Sequence, residues 1–234
     1  MIAVLRTHQG KVRANNQDSL LARDGKHPLY VVADGMGGHL GGNVASAMAV
    51  EVLAGLDLNQ PPAEAVLKQA FMKANTSIWE RQLQDLSLSG MGTTLTAIWE
   101  DQAEILLAHV GDSRAYCLRQ SQLHQISTDH SLVGELLRSG AITAQMARNY
   151  PYRNIVTRAV GTDATLQPDL LRYPKQPGWR YLICSDGLTE YADTEQLARG
   201  MALPLEEAAD VLLAIALDGG GRDNITLILL EVPS

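Results

Sequence analysis

The sequence predicts an α+β fold in which two antiparallel sheets pack together with helices outside. Three observations carry that expectation. First, "TTLTAIW", "AEILLAHV", "SRAYCLR" and "QLHQI" follow one another between residues 93 and 126, joined by short turns, which is the texture of an antiparallel meander. Second, the helical segments come in groups apart from the strands, whereas a doubly wound parallel sheet would need strands and helices alternating throughout. Third, 234 residues with 46% hydrophobic and 19% charged content make an ordinary globular balance. A chain of that length buries roughly 70–75% of its unfolded surface, enough for one sizeable core, so a single domain over residues 1–234 is expected.

The elements follow in chain order. Residues 2–8, 18–23 and 28–33 read as strands. Asn43 reads as an N-cap before "VASAMAVEVLAGL", which is apolar nearly all round and so belongs in a buried helix. In "QPPAEAVLKQAFMKANTSIWERQL" Pro61 and Pro62 stand near a helix start, and Val66, Ala70, Ala74 and Ile78 recur at i+4 spacing. After the meander, residues 131–150 read as helical and broken. Residues 180–185 and 224–232 are strands again. Between them "PLEEAADVLLAIALDGG" is a well-signalled helix, with Pro204 at its start, acids in its first turn and Gly219 at its end.

Composition narrows the function. No run approaches the ~18 apolar residues of a membrane helix, and "IAVL" before Arg6 is far short of a signal peptide's apolar segment. Cys117 and Cys184 both lie inside apolar strand-like runs, as buried thiols of a reduced, cytoplasmic protein do. A net charge of −7 argues against nonspecific nucleic-acid binding.

The stretch "VVADGMGGHLGG" asks for a chemical explanation, because five glycines crowd the eight residues after Asp34. A phosphate-binding P-loop needs Lys after its last glycine, but Gly42 is followed by Asn43 and Val44. A dinucleotide fingerprint starting at Gly35 would need glycine at position 40, which is Leu40. What recurs instead is an acid at a strand edge. Asp34 and Asp186 each precede a glycine after an apolar run, and Asp223 stands before the last strand. Asp112 sits in the turn "HVGDSR", and Asp18 at a strand start. One such acid is ordinarily a turn-former, since Asp suits strand interiors poorly. Five are harder to dismiss. Short carboxylates on rigid strand ends are the hard oxygen ligands that Mg²⁺ or Mn²⁺ prefers, and five at close range would repel without cations. On this reading the glycines let carbonyls and water approach the metals and permit positive φ.

Together, "RANNQD", "VVADGMGGHLGG", "SGMGTTLTAI", "AHVGDSRAY", "TDHS", "GAIT", "RNIVTRAVG", "LICSDGLTE" and "GGRDNITLILLEV" stand in the order seen in bacterial metal-dependent Ser/Thr protein phosphatases. This is the PPM, or type 2C, family, and the chain resembles it from about residue 4 to residue 232. The resemblance implies a four-layer α-β-β-α sandwich, two antiparallel sheets flanked by helix pairs, with a helical flap near residues 131–154. It implies a centre of two Mn²⁺ or Mg²⁺ ions and hydrolysis of phosphoserine and phosphothreonine by water that the metal pair activates. Asp34 resembles the acid bridging both metals, with Gly35 giving a carbonyl to the second and Asp186 and Asp223 completing the first. Asp112 resembles the ligand of a weaker third metal shared with Asp186, and Asp18 the acid that holds water behind the pair. Arg13 matches a phosphate-binding arginine, and His39 a histidine proposed to protonate the leaving alkoxide. Partners would be phosphorylated proteins, substrates of a bacterial Ser/Thr kinase, met by a cytoplasmic monomer with no nucleic acid and no membrane.

Plainer readings stand beside these. His39 could be a turn residue, His109 a structural one inside a strand, and His130 an organiser of the segment after "TDHS". Asn224 reads as a turn or strand-start residue rather than a ligand. Two positions depart from the family pattern: Tyr150 stands where relatives often carry His before Pro, and Gln17 where some carry an acid. Residues 131–160 carry Arg138, Arg148, Arg153 and Arg158 against Glu135 alone, so the flap, through Arg138 and Arg148 above all, would offer a basic lip to acidic phosphoprotein segments. Two rival functions fit the residues less well. "GDSRA" imitates a serine nucleophile elbow at Ser113, but that elbow runs into a helix and "SRAYCLRQ" continues as a strand. A non-catalytic phosphoprotein-binding pseudophosphatase would be expected to lose ligand acids, and here all five remain.

Overall fold

The computed structural model describes every residue except Asn149 and Ser234, with the backbone alone for His39, Leu40, Ala144 and Arg148. In chain order the elements are β1 (Ile2–His8), β2 (Asp18–Arg23), β3 (Leu29–Met36), α1 (Gly38–Ala54), α2 (Glu64–Gln84), β4 (Gly92–Thr93), β5 (Leu95–Glu100), β6 (Glu104–Val110), β7 (Arg114–Arg119) and β8 (Gln122–Gln125). There follow α3 (Leu132–Arg138), α4 (Ala144–Arg148), β9 (Asp169–Pro174), β10 (Arg180–Cys184), α5 (Asp186–Thr189), α6 (Thr194–Met201), α7 (Leu205–Asp218) and β11 (Ile225–Glu231).

Two antiparallel sheets form, in the orders β1-β11-β10-β7-β8 and β2-β3-β5-β6-β9, with the short β4 pairing β3. Strands alternate their side chains between two faces, and here both faces are apolar. In β3, Tyr30 and Val32 point between the sheets, where they meet Ile98, Tyr181, Ile183 and Ile228. Leu29, Val31 and Ala33 point outward onto Ala45, Ala49 and Leu53 of α1 and Phe71 and Ile78 of α2. In β11, Ile225, Leu227 and Leu229 face Leu197 of α6 and Leu212 and Ala216 of α7. Each sheet is therefore covered on both sides, which is why antiparallel strands here read as continuous apolar runs. The four-layer α-β-β-α expectation holds. Among the described residues no helix is long and apolar enough to cross a membrane.

The structure corrects several boundaries. Asn43 caps nothing: α1 begins at Gly38, with Gly37 in the N-cap position and no side-chain cap, so the helix starts inside the glycine stretch. Asp34 is not at the edge of its strand either, since β3 continues through it to Met36 and pairs with β4 beyond. Two elements carried too weak a pattern to expect. Edge strand β9 pairs with β6 while exposing most of its residues. Helix α6 is only eight residues long, although the capping box of Asp193 and Gln196 that starts it could have marked it.

Candidate active site

The acids are gathered by β2 and β3 of one sheet and by the segments next to β6, β7, β10 and β11. Asp18, first in β2, lies directly across from Asp34 in β3. On the other sheet β10 ends at Cys184, and Asp186 follows it into α5, while Asp223 precedes the neighbouring β11. Asp112 stands in the turn between β6 and β7. One cavity of about 660 Å³ is lined by Arg13, Gln17, Asp34, Gly35, Asp112, Asn154, Asp186 and Asp223, among others. Thus Arg13, Asp34, Gly35, Asp112, Asp186 and Asp223 meet, and Asp18 stands just behind them. The side chains of His39 and Arg148 lie outside the described residues.

Gly37 and Gly38 take positive φ as expected, +120° and +72°, whereas Gly35 and Gly42 serve close packing. A Cβ at Gly35 would lie 2.1 Å from the carbonyl oxygen of Gly42, and one at Gly42 would lie 2.7 Å from that of Gly35. They permit β3 and α1 to touch backbone to backbone, which brings the start of α1 beside the cavity.

Several polar residues without obvious chemistry hold the acids in place. Thr94 N–H donates to the Asp34 carbonyl at 2.8 Å, and Thr94 Oγ1 accepts the Asp34 N–H at 2.9 Å. Ser185 Oγ donates to Asp18 Oδ2 at 2.8 Å and accepts the Thr226 N–H at 2.9 Å, tying one sheet to the other at the site. Asn224 accepts the Gln17 N–H at 2.8 Å and donates to the carbonyls of Gln9 at 2.8 Å and Asn15 at 2.9 Å. It is a strand-start residue as expected, and it also anchors the loop that carries Arg13. Gln17 donates from Nε2 to the Gly38 carbonyl at 2.7 Å and so steadies the glycine stretch. Ser185 and Thr94 escaped sequence reading because a buried hydroxyl in an apolar run gives no spacing signal. The turn chemistry of "GGRDN" marked Asn224 only as local structure.

The electrostatics explain why this cluster needs a cation. Loss of hydration is the main force on Asp18, Asp34, Asp112 and Asp186, and mutual repulsion adds to it. Asp34 is driven well above the ordinary carboxylate range by desolvation and then by the charges of Asp18, Asp186, Asp112 and Asp223. Asp186 is pushed up to about 8, after desolvation by Asp112 and Asp223. Asp18 and Asp112 are each pushed up to about 6, mainly by desolvation. Asp18 Oδ1 is buried and finds no hydrogen-bond donor among the described residues. Arg13 is the nearby cation: its Nη2 donates to Asp223 Oδ2 at 2.6 Å, with the guanidinium half exposed.

Metal ions fit this set. The ligands are hard oxygens, one carboxylate oxygen is orphaned, and the mutual repulsion is the kind a dication removes. Among the described residues no three His, Cys, Asp or Glu side chains form a closed group able to hold one ion. The carboxylates instead ring a cavity, an arrangement suited to ions that share a bridging acid and keep water ligands.

A ring of half-buried aspartates around a cavity that a half-exposed arginine also lines, at the edge of a covered β-sandwich, defines a metal-dependent phosphomonoester hydrolase. Comparison with known proteins agrees. Residues 7–217 match the family model of protein phosphatase 2C. The serine/threonine phosphatase stp of Listeria innocua is 39% identical over 99% of this chain and 96% of its own length. The crystal structure of the Mycobacterium tuberculosis serine/threonine phosphatase PstP superposes with a TM-score of 0.93 at 38% identity, covering 100% of this chain and 99% of that one. A PstP catalytic domain in complex with two manganese ions superposes at 0.90 with 37% identity, covering 100% and 98%. The chain belongs to the protein phosphatase 2C family.

Proposed function

We propose that this protein, as one domain over residues 1–234, hydrolyses phosphoserine and phosphothreonine monoesters in proteins with the help of two Mn²⁺ or Mg²⁺ ions. One observation carries the reading: Asp34, Asp112, Asp186 and Asp223 line one cavity together with Arg13, and Asp18 stands behind them across the strand pair from Asp34. The metal-bound relative adds support. When bound, the metals supply an activated water and positive charge against the phosphoryl oxygens.

The chain's own residues divide the remaining work. Asp34, Asp186 and Asp223 would hold one ion, and Asp34 with the Gly35 carbonyl the second, with water completing each set. Asp112, with Asp186, would hold a weaker third. Asp18, fixed by Ser185 and with its Oδ1 unpartnered, would hold water behind the pair. Arg13 captures the phosphate dianion through its guanidinium fork, on a loop that Asn224 anchors. His39 gives a proton to the departing alkoxide. Arg138 and Arg148 of the flap meet the protein part of the substrate. The substrates are phosphoproteins made by a bacterial Ser/Thr kinase, and the enzyme acts as a cytoplasmic monomer without nucleic acid or membrane.

A phosphoprotein-binding module without catalysis gains nothing from the site, because every acid of the cluster is retained. An aryl phosphate assay separates the two. Turnover should require added Mn²⁺ or Mg²⁺ and stop with chelator, whereas full turnover in EDTA would overturn the mechanism.

A further inference from the structure

Beneath the flap two buried histidines, His109 in β6 and His130 just before α3, stack with ring centroids 5.0 Å apart. Neither touches the metal cavity, yet both hold the peptide of Gly111, the residue before Asp112. His130 Nδ1 accepts the Gly111 N–H at 3.1 Å, so that nitrogen carries no proton. The ring proton therefore sits on Nε2, which donates to Asp169 Oδ2 at 3.1 Å. From the other side the Gly111 carbonyl accepts the His130 backbone N–H at 2.7 Å and His109 Nε2–H at 3.0 Å. His109 Nδ1 in turn accepts from Thr96 Oγ1 at 2.9 Å.

The turn has little room to move. Gly111 has φ +111°, and a Cβ there would lie 2.6 Å from Cβ and Cγ2 of Thr94. Beyond Asp112, Ser113 Oγ and Thr94 Oγ1 lie 2.7 Å apart in a hydrogen bond. Asp112 is thus the one free side chain in a turn clamped at both neighbours. The same histidine carries the base of the flap, because its carbonyl accepts the Thr157 N–H at 2.8 Å. Asp169, its carboxylate partner, is also held by Arg158 at 2.7 Å.

We infer that His130 is a positioning residue for the phosphatase reaction: held by Asp169 with its proton on Nε2, it pins Gly111 and so sets where the Asp112 carboxylate stands. The inference rests on the proposed role of Asp112 in holding a third cation. A burial role alone would leave the ring nitrogens interchangeable with any packed side chain. Here one nitrogen must accept and the other donate, a pair that neutral imidazole provides in one side chain.

Two near-isosteres separate these roles. The Oδ1 of Asn lies about where Nδ1 lies, so His130→Asn keeps the acceptor for Gly111. His130→Gln reaches toward Asp169 and loses it. Relative to wild type, His130→Gln should lose about 10–100-fold in kcat on aryl phosphate with KM within about twofold, as removal of a ligand's supporting partner does. Hydrogen exchange at the Gly111 amide, read by NMR, should speed up at least about tenfold with its acceptor gone. Calorimetric Mn²⁺ titration should keep the two tight ions and lose the weak event, as in an Asp112→Ala control. His130→Asn should recover kcat to within about threefold. Unchanged Gly111 exchange or unchanged kcat in His130→Gln would overturn the inference, as would His130→Asn failing equally. Loss of the tight ions in both variants would mean a structural role only. If wild type shows no weak event, the third-cation reading falls, and Gly111 exchange with the Asn–Gln contrast in kcat still decides the role of His130.

Discussion

The rim of aspartates and the flap meet at one cavity, which Asp112 and Asn154 both line, yet they are built on opposite principles. Every acid of the rim lies on a strand or just beside the end of one, in sheets covered on both faces. The flap is an excursion pinched at its neck, where Ser131 bridges Val156 and Leu132 N–H donates to the Ile155 carbonyl at 2.9 Å. Between residues 132 and 155 Ala147 is the only buried residue among those described, while Leu137, Met146, Tyr152 and Ile155 are exposed. Charge is managed differently too. The rim keeps like charges together and is left needing cations. At the flap and its base, Arg153 pairs with Glu190 at 2.6 Å and Arg158 with Asp169, while Arg138 donates to the backbone carbonyl of Asp129 at 2.9 Å. The rim stores unfavourable electrostatics for chemistry, and its rigidity is what keeps them from relaxing. The flap is held by contacts at its ends and is free to be specific.

The contrast can be broken first at the rim. Asp34→Asn or Asp223→Asn should lower kcat by at least about 10³-fold, since each removes a charge the metal pair needs. A residual rate within tenfold of wild type would mean the acids are not its ligands. Asp112→Ala should reduce turnover strongly while two metals still bind and the fold stays intact. Calorimetry with unchanged stoichiometry, together with unchanged kcat, would remove the third cation from the mechanism.

Metal removal sharpens the same point through stability. In metal-free protein the folded pKa values of Asp18, Asp112 and Asp186 lie above the ordinary unfolded value, at about 6, 6 and 8. The native state then holds protons that the unfolded chain releases, so this stabilisation is present below about pH 4 and is lost as pH rises toward 8. Metal-stripped protein should melt at a lower temperature at pH 8 than at pH 6, and saturating Mn²⁺ should abolish the difference. A pH-independent melting temperature without metal would show that the acids are not desolvated together.

Smaller effects are expected farther out. Arg13→Ala should raise KM for a phosphopeptide more than it lowers kcat, because a charge-assisted contact worth about 1.5–3 kcal/mol is made in ground and transition states alike. Constant KM with collapsed kcat would make Arg13 a transition-state group instead. Replacing Arg138 and Arg148 together with alanine should lower kcat/KM several-fold on phosphoprotein, in a salt-sensitive way, and hardly at all on aryl phosphate. Equal loss on both substrates would mean that the flap supports the metal centre. No loss would leave these arginines as surface charge.

Much of this protein was legible in residue order. The meander at 93–126 announced antiparallel sheets, and the long run "NITLILLEV" a strand. The aspartates at 18, 34, 112, 186 and 223 were visible because Asp is out of place beside apolar runs, whatever the fold. Sequence alone also excluded the nucleotide loops, since Asn43 and Leu40 stand where Lys and Gly would be required. Only tertiary structure decided the rest. Gly35 and Gly42 are seven residues apart in the chain, and their need for a bare backbone arises only when β3 and α1 touch. Ser185 supports Asp18 across 167 residues and between two sheets, and Asn224 anchors the Arg13 loop across more than 200. Periodicity and local propensity act over a few residues. A hydrogen bond that closes such a distance leaves no pattern along the chain, because its partners are selected by where packed sheets place them.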